Sequence, residues 1–358
     1  MRRSSFLSLV PLVAAACLFA APAHAGPGLL VGVTDDTIEW HPDPRVSLRE
    51  LTPLGLGALR VTLEWHQGQR SITGAEHDML RRSVAAEKRA GLTVVLAVYG
   101  KAGAAPRDEY DRESFCRFTA NVLTRYTEID HVVIWNEANS GDYWPQGKTA
   151  PADYAALLGR CYDLIHQLRP DVTVLSSLAG RWGELDYIAA LGAAYRASGR
   201  VTPLVDGFGS NPYPLDSAEA PDTRHLNGRL VGEGDYDRLV TALRDAFAGT
   251  GQPLSGIWYL ETGYQTFVPA RLAHDYRGVE NDPAAVDAAT QALQLTAALK
   301  LAACQPLVKG FFNFELTDER DLAGWQSGLL YGDGERKPAF AAYAKTIAQL
   351  KAGTLSCG

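Results

Sequence analysis

An alternation between two kinds of segment, repeated eight times, most constrains how this chain can fold. Short runs of β-branched and apolar residues, bounded by Gly, Pro or Asp, predict strands, and longer runs with apolar residues at three- and four-residue spacing predict helices. The candidate strands are Leu29–Val33, Ala58–Glu64, Thr93–Tyr99, His131–Asn136, Thr173–Ser177, Val205–Ser210, Gly256–Leu260 and Val308–Phe314. The candidate helices lie near 47–54, 74–90, 111–127, 151–168, 183–198, 235–249, 284–301 and 338–350.

Eight strands that alternate with eight helices predict an α/β fold, a single (β/α)8 TIM barrel over residues 26–358. An open, doubly wound sheet is the alternative, because a count of elements does not show whether a sheet closes. Long loops rich in Trp, Tyr, Asp and Asn follow several strands, and in a barrel they emerge together at the C-terminal face, where active sites lie. These loops are 34–46, 64–73, 138–150, 211–234, 262–283 and 315–337.

Residues 1–25 have the pattern of a secretory signal peptide. A positive start, Met1-Arg2-Arg3, precedes an apolar run from Phe6 to Ala21 and an A-x-A cleavage site, Ala23-His24-Ala25. The run of about 16 residues is shorter than the roughly 20 that a membrane-spanning helix needs. We therefore expect a secreted protein, extracellular or periplasmic, that leaves the membrane after cleavage. The general secretory route is favoured, and a twin-arginine route or a lipoprotein anchored at Cys17 are the alternatives.

Four cysteines follow the leader: Cys116, Cys161, Cys304 and Cys357. An even number in an exported protein favours disulfide bonds, and their wide spacing does not match a zinc-binding pattern. Pairing them in chain order would close loops of about 45 and 53 residues, each worth about 4 kcal/mol in the loop-entropy model. Four buried free thiols are the alternative.

The charge excludes several classes of partner. Without the leader the chain has 32 Lys and Arg against 41 Asp and Glu, a net charge of −9. Nucleic acids and anionic membranes require a basic surface, so a neutral or cationic small molecule is the expected partner. The scattered histidines predict neither a catalytic metal nor a cofactor, and a G-x-S-x-G serine hydrolase motif is missing from the sequence. We expect a monomer.

Two glutamates stand where an apolar strand becomes a loop. Glu137 follows Val132-Val133-Ile134-Trp135-Asn136, and Glu261 follows Ile257-Trp258-Tyr259-Leu260. They end the fourth and seventh candidate strands, whose ends face each other across an eight-stranded ring. Two carboxylates about 5–5.5 Å apart are what a retaining glycosidase uses, one as acid/base and one as nucleophile.

These segments resemble the clan A glycoside hydrolases, in particular families 5 and 39, and the resemblance extends over the mature chain. It implies that Glu137 is the acid/base, that Glu261 is the nucleophile, and that Asn136 binds the sugar 2-hydroxyl. It also implies that Arg60, on the second strand, lies beside the nucleophile and keeps it ionised. Tyr213, in Gly207-Phe208-Gly209-Ser210-Asn211-Pro212-Tyr213, would hydrogen-bond the same carboxylate.

Three positions depart from the family pattern. Asn211 stands where histidine is common, Ala138 replaces a frequent proline, and residues 311–314 lack the usual tryptophan. The aromatic platform under the sugar is therefore not assigned among Phe312, Phe314 and Trp325.

Aromatic and acidic residues of the loops are further candidates. We expect substrate binding from Trp144 and Trp325 in particular, because indole rings stack on pyranose faces. Four loop acids are either sugar-binding groups or solvated side chains: Asp35, Asp36, Asp318 and Asp321. The loop aromatics are Trp40, Trp65, Trp144, Tyr264 and Trp325.

The sequence thus predicts a secreted retaining glycoside hydrolase that cleaves β-type O-glycosidic bonds in a polysaccharide or oligosaccharide by a two-glutamate double displacement. Two alternatives remain open at this point. One is a non-catalytic glycan-binding protein on the same barrel, which the departures at Asn211 and Ala138 allow. The other is a transglycosylase that uses the same two glutamates on a sugar acceptor.

Overall fold

The computed structural model describes residues 28–280 and 284–357, and the predicted leader, residues 1–25, lies outside them. Nine parallel strands form one sheet in these residues, and three of them have the predicted bounds. The strands are β1 (Leu30–Thr34), β2 (Ala58–Glu64), β3 (Thr93–Tyr99), β4 (Ile129–Ile134), β5 (Thr173–Leu175), β6 (Leu178–Ala179), β7 (Phe208–Asn211), β8 (Ile257–Thr262) and β9 (Val308–Phe314).

The sheet closes into a barrel of eight positions, because β5 and β6 share one of them. The neighbour order is β5-β4-β3-β2-β1-β9-β8-β7-β6, so β5 pairs with β4 and β6 pairs with β7. A bridge between Leu175 and Gly207 joins the two ends of the sheet. The predicted (β/α)8 barrel is confirmed, and β7, β8 and β9 are its sixth, seventh and eighth strands.

Five strand predictions were wrong by one to three residues at their ends, and for the fifth and sixth strands the backbone hydrogen bonds show why. The fifth strand breaks after Leu175, where the Ser177 amide donates to the Tyr154 hydroxyl at 3.1 Å instead of to a strand neighbour. The sixth strand starts at Phe208, not at Val205, because the side-chain oxygen of Gln252 accepts from the Val205 amide at 3.2 Å. Side chains therefore compete with the sheet for backbone donors at both places.

Helices surround the strands, and each of the eight predicted helices forms within four residues of its expected bounds. One short helix, α1, lies in the first loop and was not predicted. The helices are α1 (Thr37–Trp40), α2 (Arg45–Leu54), α3 (Gly74–Arg89), α4 (Glu109–Arg125), α5 (Ala150–Leu168), α6 (Glu184–Ala197), α7 (Tyr236–Phe247), α8 (Ala288–Ala303) and α9 (Pro338–Lys351).

Both predicted disulfides form. Cys116 on α4 is bonded to Cys161 on α5, and Cys304, at the end of α8, is bonded to Cys357 near the C-terminus. The alternative of four free thiols is excluded. In residues 28–280 and 284–357, every helix is too short or too polar to cross a membrane.

The barrel interior is filled, so a ligand reaches the strands only at their ends. Apolar side chains of different sizes fill it, and they pack separately from the larger core between strands and helices. The interior residues are Ala58, Val95, Ala97, Val133, Leu175, Trp258, Leu260 and Phe312.

Candidate active site

One cavity of about 530 Å³ opens at the C-terminal ends of the strands. The predicted residues Arg60, Asn136, Glu137, Tyr213, Glu261 and Trp325 all line it. The structure therefore brings together side chains from five barrel strands or the loops that follow them, as a site at this face of a barrel requires. Other lining residues include Asp36, Thr62, Tyr99, Asp142, Tyr143, Arg181, Trp182, Asn211, Leu215, Asp216 and Phe314.

Glu261 is held by a cation and a phenol. The Arg60 guanidinium on β2 donates from Nη1 to Glu261 Oε1 at 2.7 Å, and the Tyr213 hydroxyl donates to Oε2 at 3.3 Å. Arg60 is itself 1% exposed, so the ion pair is shielded from water. Both oxygens of the carboxylate thus have a defined donor, which orients Glu261 and favours its charged form.

Glu137 follows β4 on a backbone that leaves the strand sharply. Both Trp135 and Glu137 have positive φ, 67° and 41°, in the left-handed region that non-glycine residues seldom adopt. The Ser177 hydroxyl accepts from the Glu137 amide at 3.2 Å, and Asn211 Nδ2 donates to Glu137 Oε1 at 2.8 Å. The side chain is therefore aimed at the cavity by a bent backbone and by one amide donor.

Asn136 links the two carboxyl sites. Its Oδ1 atom accepts from Arg60 Nη2 at 3.0 Å and from the Ser177 hydroxyl at 3.4 Å. Arg60 thus bridges Glu261 to the residue that precedes Glu137. With its oxygen engaged, the amide nitrogen of Asn136 is the group available to a ligand in the cavity.

The surroundings separate the two carboxyl groups electrostatically. Burial and the nearby Glu261 charge raise the pKa of Glu137 to about 7. Burial also raises the pKa of Glu261, but the Arg60 guanidinium and the Tyr213 hydroxyl both oppose that rise. The ion pair with Arg60 favours the charged form of Glu261, whereas Glu137 has no ion pair and, with a pKa of about 7, keeps a protonated fraction near neutral pH.

An aromatic wall borders Glu261. The Trp325 ring lies 5.1 Å from Tyr213 and 5.4 Å from Phe314, measured between ring centroids. Trp325 is half-buried, with the remainder of the indole open to the cavity. The predicted position of Trp325 in the site is thus what the structure has, whereas Phe312 lies in the barrel interior.

The prediction for Trp144 is corrected. Its side chain is fully buried and packs against Trp135 and Tyr154, at centroid distances of 5.6 Å each, so it does not reach the cavity. Trp65 and Tyr264 are buried in the same way, because their loops fold back over the core. The side chain of Trp40 lies outside the described part of the molecule.

The four loop acids have different surroundings. The Asp35 carboxylate is buried and accepts from the Leu316 and Thr317 amides at 3.1 and 3.2 Å, so it joins two loops. Asp318 is buried with Lys337, whose Nζ lies 2.7 Å from Oδ1. Both are structural groups, contrary to either predicted role. Among the four, Asp36 lines the cavity.

Several cavity residues were not predicted from the sequence, and four of them are aromatic or basic: Tyr99, Tyr143, Arg181 and Trp182. Tyr99 is the last residue of β3, and its ring lies 5.6 Å from that of Tyr143 in an edge-to-face pair. Arg181 and Trp182 lie in a short 3₁₀ helix that follows β6. The position of Tyr99 at the end of a predicted strand could have identified it as a cavity residue. The break in the fifth strand, which places Trp182 at the cavity, has no clear pattern in the sequence.

Within residues 28–280 and 284–357, no group of three or more His, Cys, Asp or Glu side chains is arranged to hold a metal ion. The functional groups that line the cavity are carboxyl, guanidinium, amide and aromatic side chains. Such a set can donate a proton, attack an electron-poor carbon, and bind a polyhydroxylated ring.

Comparison with known proteins gives matches by structure alone. No protein-family model matches the sequence, and neither does any curated protein. A family 39 glycoside hydrolase from the gut symbiont Bacteroides cellulosilyticus WH2 is similar in structure, with a TM-score of 0.67 and 19% identity. The match covers 91% of this chain and 64% of that chain, so this chain spans less than two thirds of that enzyme's length.

Two further solved structures extend the comparison. A glucosidase from Croceicoccus marinus matches at a TM-score of 0.67 and 12% identity, over 92% of this chain and 69% of that chain. A beta-glucosidase from Thermotoga maritima matches at 0.62 and 12%, over 92% of this chain and 99% of that chain. At these identities the likeness establishes the fold, so the chain has a (β/α)8 barrel of the kind found in glycoside hydrolases.

Proposed function

We propose that this protein is a retaining glycoside hydrolase, with Glu137 as acid/base and Glu261 as nucleophile. The observation that carries the proposal is the unequal pair of carboxyl groups in one cavity. Glu261 is ion-paired with Arg60, whereas Glu137 has an amide donor and a pKa of about 7. A double displacement needs one ionised and one protonated carboxyl group at neutral pH.

The reaction follows from this difference. Glu261 attacks the anomeric carbon while Glu137 gives its proton to the oxygen of the leaving group, and a covalent glycosyl-enzyme forms. Glu137, now ionised, takes a proton from water, which attacks the same carbon and releases Glu261. The Asn136 amide would bind the sugar 2-hydroxyl, and Trp325 would stack on the ring of the sugar that is retained.

We further propose that the protein is exported. The two disulfides support this, since such bonds persist in oxidising compartments and are rare in the cytosol. Cleavage of the predicted leader after Ala25 is checked by N-terminal sequencing of protein recovered from outside the cytosol.

A panel of substrates tests the activity. We expect the purified protein to hydrolyse at least one of cellulose, mannan, xylan, β-1,3-glucan and arabinan, or an aryl glycoside of the matching sugar. NMR of the first product should show the anomeric configuration of the substrate. An inverted first product would contradict Glu261 as nucleophile, and sugar binding without turnover would favour the non-catalytic alternative.

A transglycosylase uses the same first step and differs only in the acceptor. The observation that favours it is the exposed indole of Trp182 at the cavity rim, which could hold a sugar in place of water. Products longer than the substrate, seen at an early time point, would identify this activity.

A further inference from the structure

The cavity has two halves, one around Glu137 and the other around Glu261. Asn211, the hydrogen-bond donor to Glu137, ends β7, and the segment that contains β6 is hydrogen-bonded to the chain at Glu137 and Asn139. Glu261, on β8, faces Arg60 on β2 and the aromatic wall of Tyr213, Phe314 and Trp325. If Glu137 is the acid, it protonates the departing group, so that group occupies the half beside Asn211 and the segment that contains β6.

An apolar rim borders this half. Trp182 is 52% exposed and Leu215 is 56% exposed, although both line the cavity. Exposure of a large apolar side chain to water is unfavourable. Most other large apolar side chains in the described residues are buried. A ring with an apolar face would cover both of them when it is bound.

The rim is held in place by Arg181. Its Nη2 donates to the carbonyl oxygens of Pro214 and Leu215, at 3.1 and 2.6 Å. These two contacts tie the 3₁₀ helix that contains Trp182 to the loop after β7. Trp182 and Leu215 therefore form one preformed surface instead of two independent loop tips.

Polar groups surround the apolar rim. Asp142, Arg181 and Asp216 also line the cavity and offer acceptors and donors for hydroxyl groups. A purely hydrocarbon or aryl leaving group would contact the apolar rim but form no hydrogen bonds with these groups, whereas a sugar has both an apolar face and a ring of hydroxyls.

We propose that Trp182 is the platform of a leaving-group subsite that binds a sugar, so that the bond cleaved joins two sugar units. This inference rests on the proposed function, because it takes Glu137 as the acid. Leu215 extends the platform, and Arg181 is a positioning residue that holds the rim together. The substrate class is accordingly an oligosaccharide or polysaccharide and not a glycoside of a small alcohol.

The test compares two substrates that share the retained sugar. One is the oligosaccharide that the panel identifies, and the other is the glycosyl fluoride of the same sugar, whose leaving group is too small to touch Trp182. We expect Trp182→Ala to lower kcat/KM for the oligosaccharide by about 10-fold or more relative to its effect on the fluoride, as for loss of one good apolar contact. Trp182→Phe should restore most of the difference.

Trp325→Ala is the matched control, because Trp325 lies in the half that holds the retained sugar. It should lower kcat/KM for the two substrates by similar factors. A second readout is the yield of longer products when the fluoride is mixed with an acceptor sugar, which Trp182→Ala should reduce. Equal losses on both substrates in Trp182→Ala, or no loss on the oligosaccharide, would overturn the subsite.

Binding separates this proposal from the proposed function. If the wild type cleaves neither substrate, the proposed function fails, and calorimetric titration with the oligosaccharides of the panel still tests the platform. Affinity that falls about 10-fold in Trp182→Ala supports a sugar-binding rim without catalysis. Unchanged affinity, or no binding by the wild type, refutes it.

Discussion

Single polar side chains orient the carboxyl groups of the cavity. Arg60 is buried between Glu261 and Asn136 and contacts both, so one guanidinium orients the two residues that face the ligand. Asn211 does the same for Glu137 through one amide donor. Asn211 stands where the resemblance to clan A led us to expect histidine, and its amide donates to Glu137.

Azide should react with the Glu261 and Glu137 variants to give products of different anomeric configuration. We expect Glu261→Ala to lower kcat by about 10⁴-fold or more, as for other essential nucleophiles. Azide should then displace the leaving group directly and give a glycosyl azide of inverted configuration. Glu137→Ala should lose about 10²–10⁴-fold, and azide should attack the glycosyl-enzyme and give the retained configuration.

NMR of the azide adducts distinguishes these outcomes, and circular dichroism checks that both variants are folded. Near-full activity in Glu261→Ala would refute the assignment. Exchange of the two product configurations would mean that the roles of Glu137 and Glu261 are reversed.

The pH profile depends on Glu137. Its acid form is needed for the first step, so kcat/KM should fall as the pH rises through about 7, the pKa of this group. The hydrogen bond from Asn211 favours the ionised form and lowers the pKa. Asn211→Ala removes that donor and should therefore move the alkaline limb to higher pH.

The measurement is kcat/KM against pH for the wild type and Asn211→Ala, with thermal unfolding of both at each pH. If the alkaline limb moves to lower pH or does not move, the hydrogen bond from Asn211 does not lower the pKa of Glu137. Tyr213→Phe is a useful comparison, because its hydroxyl contacts Glu261 and should affect the acid limb instead.

At the scale of secondary structure elements, the site depends on how β4 and the split fifth strand meet. The chain leaves β4 after Ile134 and is held to the segment after β5 by two reciprocal hydrogen bonds between the Asn139 side chain and the Ala179 backbone, at 2.7 and 2.8 Å. Ala179 is the last residue of β6, so this contact ties the end of that strand to the loop after β4. The strand break therefore places Glu137 and Trp182 on neighbouring parts of the cavity.

Two loop tryptophans, one after β4 and one after β9, should respond differently to truncation. Trp144→Ala empties a buried site among Trp135 and Tyr154, and should lower the free energy of unfolding by about 3–5 kcal/mol. Trp325→Ala removes a half-buried ring that lines the cavity, and should mainly lower kcat/KM.

Urea unfolding and steady-state kinetics of the two variants check this difference. A stable Trp144→Ala protein with impaired catalysis would mean that the loop opens in solution and that the original prediction for Trp144 was right. Loss of stability in Trp325→Ala without kinetic change would remove it from the binding wall.

At the scale of the whole molecule, two disulfide bonds link parts of the chain that are distant in sequence. Cys116–Cys161 joins α4 to α5, which are neighbours in the helical ring, and Cys304–Cys357 joins α8 to the chain end. None of the four cysteines lines the cavity. We therefore expect the disulfides to affect stability and not catalysis.

Replacement of Cys116 and Cys161 by serine should lower the free energy of unfolding by about 2–4 kcal/mol, since the open chain gains entropy when it unfolds. Chemical denaturation of this double variant and of the wild type, with and without dithiothreitol, measures the effect. Dithiothreitol should lower the free energy of unfolding of the wild type. The difference in that free energy between the wild type and the double variant should then become smaller. Equal stability of the oxidised proteins would contradict a structural role for this bond.

The sequence by itself determined the alternation of strands and helices and the residues at the strand ends, whereas closure of the barrel and pairing of the cysteines were predictions that the structure confirmed. Hydrophobic periodicity and glycine or proline boundaries are local signals, and Glu137 and Glu261 follow directly from where the apolar runs stop. Only the tertiary structure decided which loop side chains face the cavity. Trp144 and Trp182 are alike as residues, but one is fully buried and the other is 52% exposed, because loop packing depends on contacts distant in the chain.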